Sequence, residues 1–378
     1  RQRPMPTLSV HPSTYLAPPT GGREIPLALT IYRDRYLIAI VRKMACDWIR
    51  VYDLESEDLV TNYELAVVMY DSIMQISVLN SSQIIVLTLL VPIVLDFPKL
   101  SLDDGQLDFT NPRIIPLEGY THNKLFPMQI LEWKGRKVML VASETSQKGS
   151  FTYQISELVI HGSVLGEVIA QSSPTKEPID WPTSARLSES HVYIVTQHFN
   201  FEAGGHSTHS IASFEVTGNP EIPSPISCSV FPAKRCFANF MHTNNCITRP
   251  SPYILDNSSL LFLHARGVYY ANEEHSASTL LCSANKTKDA VALTAACYSR
   301  NIIFAASKDT KSANGKWAIR KYIAVKNSSL ENRALNAVLS RLPEDKLRDK
   351  NLMQLTKRPA EFIGYLLFGR PVICQYSL

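Results

Sequence analysis

The sequence predicts an all-β fold: a single seven-bladed β-propeller with a short α-helical insertion before the last blade, taking residues 1–378 as one domain. Three observations carry that prediction. A polar turn followed by a short apolar stretch recurs along the chain. Each stretch is flanked by further strand-like pieces rich in Val, Ile, Tyr and Phe. One amphipathic interruption breaks the pattern near the C-terminal end.

The apolar stretches begin at Tyr36, Ile84, Val138, Val192, Leu260 and Ile302, with a seventh, YLLF, at Tyr365. The first six follow polar turns such as Arg33-Asp34-Arg35, Asn80-Ser81-Ser82-Gln83 and Lys134-Gly135-Arg136-Lys137. The stretches recur roughly every 50 residues, the length of a four-stranded blade with its loops. Strand-like pieces precede them, as at Ala28, Met74, Met128, Pro252 and Val291, and others follow, as at Trp48, Pro92, Phe151, Ser210, Gly267, Trp317 and Pro371. The middle piece is nearly continuous apolar, as a strand sandwiched between blades should be. The longest apolar run, Ile84 to Leu95, is about half of the roughly 20 residues a spanning helix needs. With Pro92 inside it, the run reads as two buried strands meeting at a turn.

A propeller must join its last blade to its first or leave an exposed edge. Thr7 to Val10 is the expected closing strand, supplying the outer edge of the last blade. The helical insertion is expected over 328–355. Ser328-Ser329-Leu330-Glu331 has capping-box spacing, and Leu335, Val338, Leu339 and Leu342 then form an amphipathic stripe ended by Pro343. Residues 344–355 read as a second helix with Leu347, Leu352, Met353 and Leu355 inward; the unit is expected to pack its stripe on the side or face of the propeller, the alternative being a docking helix that exposes Lys346, Arg348, Asp349 and Lys350.

The formal net charge is +4, from 38 basic and 34 acidic residues, so composition argues for neither a nucleic-acid nor a membrane-surface partner. The seven Cys are odd in number and lie in apolar or strand-like surroundings, which favours reduced thiols and an intracellular location, cytoplasm or nucleus. Residues Arg1 to Thr20 hold no apolar leader core, and the chain reads as a piece of a longer protein. The sequons at Asn80, Asn257, Asn285 and Asn327 read mostly as turn chemistry.

No constellation assembles a catalytic or metal set. His198, His206 and His209 share the segment Gln197 to Ser210 but lack a fourth ligand at a familiar spacing, and read as a polar connecting loop. Cys228, Cys236, His242 and Cys246 match no standard zinc module. Asp103-Asp104 and Glu273-Glu274 read as solvated turn charges. Lys234, Arg235 and Arg249, near Phe231, Phe237 and Phe240, are too few for a nucleic-acid groove. Hence no catalytic, cofactor or metal residue is expected, and no cofactor.

Tyr52-Asp53-Leu54, Leu95-Asp96-Phe97 and Phe214-Glu215-Val216 each end a strand with apolar or aromatic, acidic, then apolar residues. That pattern resembles the end of the third strand in WD-repeat blades, although no Trp-Asp dipeptide and no Gly-His pair is present. A looser likeness is to the propeller-like C-terminal regions of fungal F-box proteins. These resemblances imply a non-catalytic interaction or scaffold module, not an enzyme, and on the F-box reading the substrate-recognition end of a ubiquitin ligase. Such a module is expected to be a monomer that binds protein partners on a propeller face or on the helical insertion. The alternative is a propeller enzyme of hydrolase or lactonase type with its site in the central funnel. It would need carboxylates or His at the ends of the inner strands, and the inner pieces ALTIY, MQISVL and PYIL contain none.

Overall fold

The protein was described from a computed structural model. The structure describes residues 8–16, 24–65, 73–88, 91–100, 107–117, 125–133, 135–144, 151–158, 168–172, 181–187, 191–200, 206–216, 224–229, 237–241, 253–256, 259–264, 267–272, 275–283, 291–299, 302–309, 317–326 and 330–342.

After an N-terminal strand, β1 (Leu8–Leu16), the chain folds into successive antiparallel meanders. The first unit is β2 (Glu24–Tyr32), β3 (Tyr36–Lys43), β4 (Cys46–Asp53) and β5 (Leu59–Glu64). The second is β6 (Ile73–Val78), β7 (Gln83–Thr88), β8 (Ile93–Asp96) and β9 (Arg113–Pro116). The third is β10 (Leu125–Trp133), β11 (Arg136–Glu144), β12 (Phe151–Glu157) and β13 (Val168–Ser172). The fourth is β14 (Trp181–Leu187), β15 (His191–Asn200), β16 (His206–Val216) and β17 (Ser224–Ser229), with β18 (Phe237–Met241) paired to β16 beyond the end of β17. A parallel β13–β17 pairing joins these two units at their outer strands. The fifth is β19 (Tyr253–Asp256), β20 (Ser259–His264), β21 (Gly267–Asn272) and β22 (His275–Ser283). The sixth takes β23 (Val291–Ser299), β24 (Ile302–Asp309) and β25 (Trp317–Lys326), and β1 completes it.

This is a β-propeller. The first strand of each unit is the inner one. β2 lies between β23 and β6, β6 meets β10, β10 meets β14 and β14 meets β19, while β20 meets β23, so the chain of neighbours returns to its start. The six stretches with polar turns are the second strands, β3, β7, β11, β15, β20 and β24, as the sequence predicts. The seventh, at Tyr365, and the second helical segment over 344–355 lie outside the described residues. The apolar run from Ile84 forms β7 and β8 with a turn between them, where Thr88 Oγ1 donates to Val91 O at 2.8 Å.

The closing strand is real but sits elsewhere than expected. β1 pairs antiparallel with β25, with Leu8 opposite Lys326 and Val10 opposite Ala324, so it edges the sixth unit and not one built around Tyr365. The helix α1 (Leu330–Leu339) follows four residues after β25 and packs on it. Leu335 and Leu339 are buried, and Arg333 and Ala337 face solvent.

The core lies between units, where neighbouring sheets stack face to face. Ile38, Ile40, Ile49 and Val51 of the first sheet meet Ile76, Ile84, Val86 and Leu95 of the second. The opposite face, with Leu29, Leu37, Ala39, Val41 and Tyr52, meets Phe304, Ala306 and Ile319 of the sixth. Ile85, Leu87 and Val94 meet Ile130, Met139 and Val141 of the third. Alternation along β3 explains both contacts of the first sheet: successive residues point to opposite faces, and both faces are covered.

One feature recurs that periodicity does not reveal. All six inner strands break register with their neighbours by one residue, at Leu27, Met74, Met128, Thr183, Leu255 and Thr294. These are β-bulges, which bend a strand and increase its twist. Pro26, Pro127 and Pro182 precede three of them. Proline lacks a ladder donor and is accommodated at bulges and edges, and an inner strand is an edge of its own sheet.

Candidate functional site

Ionisable groups gather at the end of the first sheet where its inner strand begins. Glu24, the first residue of β2, is buried and accepts two hydrogen bonds from the Arg50 guanidinium on β4, both at 2.7 Å. Arg50 is equally buried and also donates to Asn62 Oδ1 on β5 at 3.1 Å, and Lys43 Nζ lies 3.7 Å from Glu24. Register explains the assembly: Glu24 is opposite Lys43, and Arg50 lies between Ala39 and Asn62 on the face turned to the sixth unit. A buried carboxylate is tolerated only when paired and bonded, and the guanidinium fork meets both oxygens. On the other face Arg42 holds the fully buried Asp47 in the same two-pronged way, at 2.8 and 3.0 Å. At the β3–β4 hairpin a hydrogen bond to Glu64 raises the pKa of Cys46, so its thiol stays protonated and is a poor nucleophile.

The opposite end of the first sheet is built around Asp53, the acidic residue of the Tyr52-Asp53-Leu54 motif. Arg35, in the turn before β3, grips it with Nε and Nη2, the shortest bond being 2.6 Å. Glu55 N–H adds a bond at 2.9 Å. The Arg35 bond, with these backbone donors, holds the Asp53 carboxyl below the usual carboxylate range. The second unit repeats the link with weaker chemistry, Gln83 Nε2 donating to Asp96 at 3.3 Å. The backbone repeats as well: Leu54 N–H bonds Arg35 O, Phe97 N–H bonds Ser82 O, and Leu158 N–H bonds Lys137 O. The acidic motif therefore locks a turn, and nothing about it points to a ligand.

The segment holding the three histidines is not a loop. His198 lies on β15, and His206 and His209 lie on β16, opposite Asn200 and Gln197. Three residues apart on a strand, His206 and His209 belong to opposite faces, so the register does not gather them. Cys228 is on β17, opposite Phe214, and Phe237 and Phe240 are on β18. Cys236, His242, Cys246, Lys234, Arg235, Arg249, Phe231, Asp103, Asp104, Glu273, Glu274 and the residues from Lys346 to Lys350 lie outside the described residues. Among the described residues no group of three His, Cys, Asp or Glu side chains is placed to hold a metal ion.

Sequence reasoning missed Glu24 because it took the inner strand to begin at Ala28. The signal was present in the bulge. Glu24 lies three residues before the bulged Leu27, and the same step before Met74 and Thr183 is Asp71 and Asp180.

No protein-family model matches the sequence, and no curated protein matches it. Among solved structures, an α-L-arabinanase of Penicillium chrysogenum, complexed with arabinobiose, matches with a TM-score of 0.44 and 11% identity over 83% of this chain and 98% of that one. The expectation of a non-catalytic interaction or scaffold module, and with it the expectation that the chain is not an enzyme, is corrected here. The matched structure is an enzyme's, and no model of WD-repeat or F-box type matches.

Proposed function

We propose that the chain is a propeller enzyme of the hydrolase kind, lactonases included, acting in the central funnel at the end where the inner strands begin. The observation that supports this is a carboxylate at one repeated step: Glu24, Asp71 and Asp180 each stand three residues before the bulge of their inner strand. Hydrolysis needs one group to take a proton from water and another to give one to the leaving group. Two carboxylates meet that need when their pKa values are set apart, and Asp71 and Asp180, which lie outside the described residues, are assigned to it by their step in the sequence. Glu24, clamped by Arg50, serves as a fixed anchor at that end of the strand. Asp71 and Asp180 take the proton-transfer roles.

The test is turnover of a panel of lactones, carboxylic esters and glycosides by the purified chain, with Asp71→Asn and Asp180→Asn beside it. Turnover that falls about 100-fold or more in each variant, with unchanged melting, is expected. Absence of turnover across the panel, or turnover intact in both variants, would overturn the reading.

A further inference from the structure

We infer that the pair Glu57–Lys321 is a latch that holds the ring shut where its first and sixth units meet. The two residues are 264 positions apart, and the Lys321 ammonium donates directly to the Glu57 carboxylate. Lys321 lies on β25, buried, on the face that carries Ile319. Glu57 reaches it from the turn between β4 and β5. Beside it lies the apolar contact of Leu29, Leu37, Ala39, Val41 and Tyr52 with Phe304, Ala306 and Ile319, and the Glu24–Arg50 pair stands on the same face of the first sheet. The polar cross-links described at the neighbouring seams are of a different kind. Tyr32 donates to Ser81 O, Tyr63 to Asn111, and Gln75 bonds both backbone groups of Ile130, all neutral.

A second observation concerns the backbone. Glu57 has φ +63, in the left-handed region that glycine and asparagine favour and glutamate does not. The turn is fixed on both sides of it: Glu57 N–H bonds Asp53 O at 2.7 Å, Asp53 N–H bonds Asp58 O at 2.9 Å, and Arg35 holds the Asp53 side chain. A strained residue kept in place by its surroundings marks a conformational role. Here the strain aims a carboxylate across the seam. A seam closed in a slipped register would bury the Lys321 ammonium without its carboxylate, so the pair favours one closed register over any slipped one.

The test uses the full chain with a reporter thiol in the seam, Ala306→Cys, and another between the first and second units, Ala28→Cys. Alkylation at each is followed by mass mapping of the labelled peptide. Glu57→Gln and Lys321→Met are each expected to speed labelling at position 306 about tenfold while position 28 is unaffected. Glu57→Gly removes the carboxylate but suits a positive φ, so it should speed labelling at 306 while lowering Tm less than Glu57→Gln does. Unchanged labelling at 306 in all three variants, or equal acceleration at both positions, would show a pair that merely stabilises the fold and would overturn the proposal.

Discussion

Asp53 and Asp96 show how a side chain can do the same job at two strengths. Both end a third strand, but Asp53 bonds Arg35, just ahead of β3, which brings charge and two donors, where Asp96 bonds Gln83, the first residue of β7, which brings a neutral amide. Asp53 therefore ties stability to pH. Its folded pKa is depressed, so the contribution is complete above the unfolded value near ~4 and is lost as pH falls through the folded one. Asp53→Asn should lower Tm at pH 7, and the gap to wild type should close below about pH 4. Melting curves across pH check this, and a constant gap down to pH 2 would contradict it. The motif was legible in the sequence as an acidic strand end. Its partner was not, because Arg35 lies 18 residues away and only the hairpin register brings the two together.

Elements were legible in proportion to their burial. The middle strands announce themselves because they are rich in apolar residues, and in β3 and β7 both faces are covered. Outer strands do not. Along β5, half-buried and exposed residues alternate in LVTNYE, and that mixture resembles a loop. The inner strand β14, WPTSARL, is equally opaque: its Pro and polar residues suit a bulged edge and not a buried strand. β1 was foreseen over Thr7 to Val10 and extends to Leu16. It covers the free side of β25 through seven paired positions. Deleting residues 1–16 should lower Tm by several degrees and promote self-association through the bared edge. Melting and light scattering measure both, and a truncated chain that melts and scatters like the full one would contradict this.

At the scale of the whole molecule, the propeller was legible because a repeat of about 50 residues tolerates only a few architectures. The closing contact was not: the stretch at Tyr365, which follows no polar turn, was taken as the last middle strand and lies outside the described residues, among which spatial order takes β23 back to β2. The bulge escaped for another reason: one skipped residue only shifts the phase of a period-two pattern, and the inner strands, four to nine residues long, are too short on either side of it for the shift to be read. Closure also sets the kinetics. The seam between the first and sixth units joins distant parts of the chain, and loop-closure entropy delays such contacts. Val41→Ala, which loosens that seam, should therefore speed unfolding and leave the folding rate nearly unchanged. Stopped-flow rates against denaturant separate the two limbs, and a slowed folding limb would place the seam in the nucleus.

The pairing of β1 with β25 reaches beyond the ring itself. Leu8 stands opposite Lys326, and α1 starts four residues later, so two positions far apart in the chain share one sector of the circumference. Groups attached at Leu8 and at Lys326 are neighbours by construction, and the ring acts on them as a short tether. Each meets the other at a local concentration in the millimolar range when the spacers are short and flexible, whatever the bulk concentration.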